Sequence, residues 1–238
     1  NTSLSKFGYT IIKKKPTIVE ISNEEKNIID LCRNFSMTTD IRMWALINSL
    51  KKILYQNIEG DIVECGIWKG GNIILIKKFL DKYNSKKNIY CFDTFEGMYD
   101  TTENDKELST NNSAKEIIND DEYFSCKSSF KETESNIKKN VDNMKNIFFI
   151  KGKVEDTLQK DKNIPNKISI CRLDTDYYSS TKIELEKLYS RISTGGILII
   201  DDYGHWSGSK KAVDEFFKDK FVMKHYVDYA CRLIIKEE

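Results

Sequence analysis

Four aspartates in the last third of the chain have the types and spacing expected of a divalent-metal site. Asp174 and Asp176 follow one apolar run, and Asp201 and Asp202 follow the next. Carboxylates gathered at one rim would repel each other strongly unless a cation lay between them. Oxygen ligands favour Mg²⁺, Ca²⁺ or Mn²⁺ over zinc, and the sequence has no cysteine and histidine cluster to compete. The pattern therefore indicates a metal site, against the alternative that these aspartates only cap helices and form turns.

The segments around these aspartates predict a strand, a helix and a second strand. Residues 168–173 and 197–200 are short and apolar, as buried strands are. Between them, Thr181 and Glu184 have the spacing of a capping box, which predicts the start of a helix, and Gly195-Gly196 predicts its end. Because such a crossover joins parallel strands, both acidic pairs emerge at the carboxyl edge of one sheet, where open α/β sheets bind ligands.

A glycine turn in the first third predicts a second ligand-binding element. Residues 61–71 indicate a strand that ends in E-x-G-x-x-x-G, a pattern without the spacing of a dinucleotide-binding turn or of a phosphate-binding P-loop. A further strand, 88–92, ends at Asp93, where an acid can hold the two hydroxyls of a ribose. With no pyrophosphate cradle evident, the turn and the acid favour S-adenosylmethionine over NAD.

Four motifs carry a resemblance to a known family. They are residues 63–71 (VECGIWKGG), 92–98 (FDTFEGM), 173–181 (LDTDYYSST) and 195–203 (GGILIIDDY). In this order they resemble the macrocin O-methyltransferase family, whose members depend on S-adenosylmethionine and a metal and are known for methylating sugar hydroxyls. The resemblance extends from about residue 32 to residue 217. It implies a Rossmann-like class I methyltransferase fold of the α/β class, with a mostly parallel seven-stranded sheet and helices on both faces.

The resemblance also implies roles for individual residues. The residues expected to contact the cofactor are Glu64, Gly66, Trp68, Gly70, Gly71, Asp93, Thr94, Gly152, Lys153, Val154 and Asp174. The residues expected to bind Mg²⁺, or another hard divalent cation, are Asp174, Asp201 and Asp202. Asp176 is either the general base or a fourth ligand, because it lies on the same side of the chain as Asp174. His205 is a second candidate base or a substrate contact, against the alternative of a surface histidine.

The expected reaction is methyl transfer from S-adenosylmethionine to a hydroxyl of a sugar in a glycoside, a nucleotide sugar or a polysaccharide precursor. Two alternatives stay open, a metal-dependent methyltransferase for catechols or phenols and a protein that binds S-adenosylmethionine without turnover. The second alternative would not need the four aspartates. Aromatic residues beside the acidic motifs are candidates for stacking on the acceptor, namely Tyr177, Tyr178, Tyr203 and Trp206.

Length and composition limit the remaining possibilities. A chain of 238 residues suits one domain, with an N-terminal helical segment at about 20–56 and a helical insertion and mobile lid at about 98–140. The N-terminal helices are expected to line the acceptor pocket or to form a contact in a homo-oligomer. Lysine and arginine total 38 against 37 acids, so no nucleic-acid partner is expected.

The six cysteines and the hydropathy pattern predict the compartment. No two cysteines form a C-x-x-C pair, and three of them fall in predicted buried strands, which favours free thiols in a reducing cytoplasm. No apolar stretch approaches the ~20 residues that a membrane-spanning helix needs, so no membrane partner is expected.

Overall fold

The computed structural model describes residues 18–98, 101–120 and 125–237. The expected insertion at 98–140 is therefore described except at 99–100 and 121–124. The strands are β1 (Asp61–Cys65), β2 (Ile89–Asp93), β3 (Ile147–Lys151), β4 (Ile168–Leu173), β5 (Ile192–Ile200), β6 (His225–Tyr226) and β7 (Arg232–Ile235). The helices are α1 (Asn23–Cys32), α2 (Asp40–Tyr55), α3 (Gly71–Lys82), α4 (Ala114–Asp120), α5 (Phe130–Asn140), α6 (Val154–Thr157), α7 (Tyr178–Leu188) and α8 (Ser207–Phe216).

The described strands form one sheet in the order β3-β2-β1-β4-β5-β7-β6. Strands β1 to β5 pair in parallel, whereas β7 runs antiparallel to both β5 and β6. Cys65 is in register with Phe92 and Leu173, and Leu173 is in register with Ile200. The residues that follow β1, β2, β4 and β5 therefore emerge level with each other at one carboxyl edge, as the sequence predicted.

Helices cover both faces of the sheet. On one face, apolar residues of α1, α2 and α3, such as Ile29, Leu46 and Ile74, form a core cluster that includes Ile62 and Ile170 of the sheet. On the other face, residues of α7 and α8 form a second cluster around Cys171 and Leu198. Because each inner strand is buried on both sides, apolar residues follow one another along it rather than alternating with polar ones, and the charged Glu64 and Arg172 of β1 and β4 are paired with each other.

Two element boundaries differ from the prediction. Helix α7 begins at Tyr178, before the expected capping box, and the main-chain N–H of Tyr178 is capped by the carboxylate of Asp105 from the distant insertion. Glu184 lies on the second turn of α7 and accepts a hydrogen bond from Thr175 instead. Strand β5 begins at Ile192, so Gly195-Gly196 lies inside a strand and does not end the helix. The glycines coincide with a register shift against β4, where φ of Gly195 is +79°.

The cysteines and the membrane prediction can be compared with the structure. Cys65, Cys91 and Cys171 are fully buried in strands, and all six cysteines are free thiols. Over the described ranges, every helix is too short or too polar to cross a bilayer.

Candidate functional site

A cavity of about 370 Å³ lies at the carboxyl edge of the sheet. Its walls come from the turns after β1 to β5, from the segment before α2 and from the turn before β7. A larger and more open depression of about 1260 Å³ lies beside α2 and the amino ends of β1 and β2, and it contains none of the predicted functional residues. The smaller cavity is therefore the candidate site.

Three carboxylates meet at the floor of this cavity. One oxygen from each of Asp174, Asp176 and Asp202 lies within 4.8 Å of the others. Asp176 has a left-handed backbone with φ of +67°, a conformation that aspartate adopts more readily than most residues. Among the described residues, Oδ2 of Asp202 is buried and has no hydrogen-bond partner. The group therefore offers both the ligand atoms and the unsatisfied oxygen that a divalent cation requires.

The same three carboxylates resist ionisation. Burial, with repulsion from Asp174 and Asp201, raises the pKa of Asp176 to about 7. Burial also raises the pKa values of Asp174 and Asp202 well above the usual range, and the neighbouring carboxylates add to both shifts. A cation held between these groups would remove much of this cost, because it favours the ionised forms.

Asp201 differs from the other three aspartates because two arginines bind it. Its Oδ1 accepts a hydrogen bond of 2.7 Å from Arg172, and its Oδ2 accepts one of 2.6 Å from Arg42. Burial opposes ionisation of Asp201, but the two guanidinium groups outweigh it and hold the pKa below the usual value. Both carboxylate oxygens are thus engaged by the protein, and the role of Asp201 as a metal ligand stays a prediction.

Arg172 lies fully buried behind the carboxylates and links three strands. Its Nη1 donates to Glu64 and to Asp174, each at 2.6 Å, and its Nη2 donates to Asp201 and to the hydroxyl of Thr38. Glu64 has no exposed surface and does not line the cavity, so it holds Arg172 in place rather than facing the space above the sheet.

The turns after β1, β2 and β3 form the other half of the cavity. Gly66 has φ of +80°, and a Cβ there would lie 1.9 Å from the main-chain oxygen of Asp174, so only glycine fits. Asp93 accepts hydrogen bonds from the N–H groups of Ile67, Trp68 and Phe95, which fixes the turn after β1 against the end of β2. The predicted cofactor residues that line the cavity are Gly66, Trp68, Asp93, Thr94, Gly152, Lys153, Val154 and Asp174.

Besides Glu64, two more predicted cofactor residues lie outside the cavity wall. Gly70 takes a left-handed conformation as the residue before α3, and a Cβ would meet the side chain of Ile137. Gly71 is the first residue of α3 and packs against the main chain of Phe35. Both glycines therefore serve the close packing of the α3 start.

His205 lines the cavity beside Asp202 and contacts the insertion. Its Nε2 lies 4.0 Å from a carboxylate oxygen of Glu107, and its main-chain oxygen accepts a hydrogen bond from Leu108. Burial lowers the pKa of His205, although Glu107 opposes the shift. The imidazole is therefore neutral near pH 7 and able to accept a proton, as one of the two predictions for His205 requires.

The aromatic residues beside the acidic motifs divide into two groups. Tyr177 and Trp206 line the cavity, but α4 packs against them and leaves each about 5% exposed. Tyr178 and Tyr203 lie outside the cavity wall, and their hydroxyl groups donate to Glu215 and Asp214 of α8.

Several lining residues were not predicted from the sequence. Arg42, at the start of α2, and Tyr229, before β7, come from parts of the chain far from the acidic motifs. Arg172, which binds the carboxylates without lining the cavity, was also missed, although a charged residue inside the apolar run of β4 is a signal because it needs a buried partner. Thr38 and Met37, just before α2, also line the cavity, and the role of the N-terminal segment in acceptor binding stays a prediction.

Comparisons with known proteins found a matching family model and several curated relatives. A family model described as Macrocin-O-methyltransferase (TylF) matches residues 19–231. The demethyldecarbamoylnovobiocin O-methyltransferase of Streptomyces niveus is 27% identical over 187 residues, which are 74% of this chain and 64% of that protein. The 8-demethyl-8-(2,3-dimethoxy-alpha-L-rhamnosyl)-tetracenomycin-C 4'-O-methyltransferase of Streptomyces olivaceus is 27% identical over 162 residues, which are 65% and 57% of the two chains. The chain thus spans less than two thirds of the length of these curated relatives.

A solved structure supports the fold prediction. The O-methyltransferase NovP superposes with a TM-score of 0.74 at 24% identity, over 86% of this chain and 83% of that chain. The predicted Rossmann-like class I fold, with its mostly parallel sheet of seven strands, is confirmed.

Proposed function

Because the chain belongs to the macrocin O-methyltransferase family, we propose that it transfers a methyl group from S-adenosylmethionine to a hydroxyl group of a sugar. The observation that carries this proposal is the position of Asp174 between the two halves of the cavity. Its main-chain oxygen faces Gly66 of the first turn, whereas its carboxylate lies with those of Asp176 and Asp202. The name of one relative, which specifies a rhamnosyl group and a 4'-O-methyltransferase, supports a sugar as acceptor.

The cofactor would occupy the half of the cavity formed by the turns after β1, β2 and β3. Gly66 leaves room for close approach to the main chain, and Asp93 lines this half of the cavity, where the ribose hydroxyls would lie. Gly152, Lys153 and Val154 line the far end, where the adenine ring would lie.

The residues present fit a hard divalent cation such as Mg²⁺. Asp174 and Asp202 belong both to the set predicted from the sequence and to the group of converging oxygens, and Asp202 has an unsatisfied buried oxygen among the described residues. We assign these two residues as ligands, with Asp176 or Asp201 completing the set. When bound, the cation would lower the pKa of the acceptor hydroxyl, and S-adenosylmethionine would supply the methyl group.

The carboxylates would take up the proton that the acceptor hydroxyl loses. A sugar hydroxyl is far less acidic than any side-chain acid, so its proton must leave as the new O–C bond forms and the S–C bond breaks. Without a cation the pKa of Asp176 is raised to about 7, and a bound cation would lower it, so Asp176 would be ionised and able to accept a proton at neutral pH. His205 is neutral and faces the same cavity, which makes it the second candidate.

We also infer that the protein works in a reducing cytoplasm. The six free cysteines support this compartment, because five of them are buried and none forms a disulfide.

The proposal is tested first by calorimetric titration of S-adenosylmethionine and S-adenosylhomocysteine into the protein, with Mg²⁺ present and after chelation. Binding of both ligands is the expected result, and no binding of either would overturn the proposal. Incubation with methyl glycosides and with simple diphenols, followed by mass spectrometry, then identifies the acceptor class. Methylation of diphenols alone would replace the sugar by a phenol.

The metal ligands are tested by Mn²⁺ binding, followed by electron paramagnetic resonance. Asp174→Asn and Asp202→Asn should each weaken binding at least tenfold, whereas the surface variant Asp214→Asn should leave it unchanged. Asp176→Asn and Asp201→Asn decide the third ligand. Because both oxygens of Asp201 are bound by arginines, its substitution should lower stability, and an added loss of Mn²⁺ binding would make it a ligand. Unchanged Mn²⁺ binding in both Asp174→Asn and Asp202→Asn would contradict the metal site.

A further inference from the structure

The residues of the cavity follow the order of the strands along the sheet edge. The proposed cofactor residues follow β1, β2 and β3, and the carboxylates follow β4 and β5. Tyr229 lines the cavity from the turn before β7, which pairs with β5 on the side away from β4. A molecule in contact with Tyr229 is therefore separated from the cofactor half by the carboxylates.

The turn that carries Tyr229 is held rigidly. Oδ1 of Asp228 accepts hydrogen bonds from the N–H groups of Ala230 at 3.0 Å and Cys231 at 2.9 Å. Its Oδ2 accepts from Nε of Arg42 at 2.7 Å and from the hydroxyl of Thr39 at 3.1 Å. The neighbouring tyrosine is thus fixed to α2 before any ligand enters, which lowers the entropic cost of binding.

The tyrosine ring remains largely open. The guanidinium of Arg42 lies over the ring at 5.6 Å from its centroid, and the His205 ring meets it edge-on at 5.9 Å. Even so, 59% of Tyr229 is exposed, in contrast to Tyr177 and Trp206, which the insertion covers. Of the aromatic residues near the carboxylates on this side, Tyr229 has the most surface to offer to a ligand.

We propose that Tyr229 is the platform on which the sugar ring of the acceptor stacks. This inference rests on the proposed function, because it requires an acceptor whose hydroxyl reaches the carboxylates. A pyranose ring has an apolar face of C–H groups that packs on an aromatic ring, while the hydroxyls at its edge remain free to point towards Asp176 and Asp202. Tyr229 would then select glycosyl acceptors by the shape of that face and hold the reactive hydroxyl in position.

The test uses the full chain loaded with S-adenosylhomocysteine and Mg²⁺. The probes are phenyl glycosides of neutral hexoses and 6-deoxyhexoses, with phenol as a control for binding through the aromatic group. Saturation-transfer NMR reports which sugar hydrogens contact the protein, and the titration gives the affinity. For Tyr229→Ala we expect about three- to tenfold weaker glycoside binding, the range typical of one aromatic contact.

The controls separate stacking from a structural role of the ring. Tyr226 is a matched residue, since it is 69% exposed and lies under the guanidinium of Arg232, but it is outside the cavity. Tyr226→Ala and Tyr229→Phe should bind glycosides as the wild type does, whereas Tyr229→Leu should lose affinity as Tyr229→Ala does. Affinity for S-adenosylhomocysteine and the melting temperature should stay unchanged in all four variants.

Two results would overturn the inference. One is equal glycoside affinity in the wild type and Tyr229→Ala, and the other is the absence of glycoside binding to the loaded wild type. Both are read only in protein that the cofactor titration has shown to bind S-adenosylhomocysteine, so a failed titration contradicts the proposed function, whereas equal affinities in the loaded wild type and Tyr229→Ala contradict this inference alone.

Discussion

Arg42 and Asp201 are joined by a hydrogen bond of 2.6 Å between Nη1 and Oδ2, although 159 positions separate them in the chain. The same guanidinium binds Asp228 through Nε at 2.7 Å. One arginine therefore connects the start of α2 to the carboxylate after β5 and to the turn that carries Tyr229. The N-terminal segment is part of the site, and its removal would leave Asp228 without this arginine and Asp201 with Arg172 alone.

Replacing Arg42 by Gln should destabilise the protein strongly. The side chains of Arg42 and Asp201 are 9% and 5% exposed, so the variant leaves a buried carboxylate with only Arg172 as its cation. Breaking a buried ion pair by removing one partner costs about 3–5 kcal/mol of unfolding free energy. Urea denaturation followed by circular dichroism measures this loss.

Arg33→Gln is the matched control for this variant. Arg33 lies seven positions before the first residue of α2 and pairs with Asp30 and Asp40, but its side chain is 46% exposed. Exposed pairs of this kind contribute about 1 kcal/mol or less. Equal losses in the two variants would show that burial does not decide the strength of the Arg42 pair.

The stability of the metal-free protein should fall as the pH rises from about 4 to about 7. The pKa of Asp176 is raised from 3.8 to about 7, mainly by burial, so the folded state binds a proton that the unfolded state has already released in this range. The stability that such a group contributes is complete below its unfolded pKa and is lost as the pH rises through its folded pKa, and the same direction holds for Asp174 and Asp202.

Mg²⁺ should reverse this trend, because the ion favours the ionised carboxylates. We expect the difference in melting temperature between Mg²⁺ and chelator to grow from pH 5 to pH 8, and to vanish in Asp202→Asn. Thermal unfolding by circular dichroism measures it. A difference that shrinks as the pH rises would contradict the raised pKa values.

The sequence predicted which residues lie at the carboxyl edge of the sheet better than it predicted the contacts between buried residues of the site. Strand ends were predictable because apolar runs and the acids that follow them are local features, and Asp93, Asp174 and Asp202 all line the cavity. The partner of Glu64 was not predictable, because Arg172 lies 108 positions away and the contact depends on the register of β1 and β4.

Long-range contacts also explain why the start of α7 was predicted wrongly and why Tyr229 was not predicted. A capping box assumes that the helix is capped by its own neighbours, yet Asp105 reaches Tyr178 from 73 positions away. Tyr229 lies outside every motif, and only the antiparallel pairing of β7 with β5 brings it to the cavity. Contacts between residues this far apart in the sequence depend on the complete topology of the fold.

Gly66→Ala should abolish cofactor binding and lower stability. The residue has φ of +80°, and the new Cβ would lie 1.9 Å from the main-chain oxygen of Asp174. Gly195→Ala is the matched control, since its φ is +79° but the nearest atom is a methyl group of Ile58 at 2.8 Å, away from the cavity. Both variants should lose about 1–3 kcal/mol of unfolding free energy, because alanine is strained in the left-handed conformation.

The two variants should differ in S-adenosylhomocysteine binding and in how much unfolding free energy they lose. Only Gly66→Ala forces two main-chain segments apart, so it should be the less stable of the pair and should fail to bind S-adenosylhomocysteine in calorimetry. Normal binding by Gly66→Ala would mean that the turn after β1 does not contact the cofactor.

Asp105 tests whether the insertion is a mobile lid or a fixed wall. Its carboxylate is fully buried and accepts hydrogen bonds from the main-chain N–H of Tyr178 and from both the N–H and the hydroxyl of Thr102. Next to it, Lys106 and Leu108 donate to Ser207 and His205. This pattern predicts a fixed wall in the described part of the insertion.

Amide hydrogen exchange distinguishes a mobile lid from a fixed wall. The N–H groups of Lys106, Leu108 and Ala114 should exchange slowly in the wild type and much faster in Asp105→Ala, because the variant leaves the donors of Tyr178 and Thr102 without their acceptor at a cost of about 1–3 kcal/mol. Asp105→Asn keeps one acceptor oxygen and should lie between the two. Rapid exchange of these amides in the wild type, slowed by S-adenosylhomocysteine, would instead establish a lid that closes over the bound cofactor.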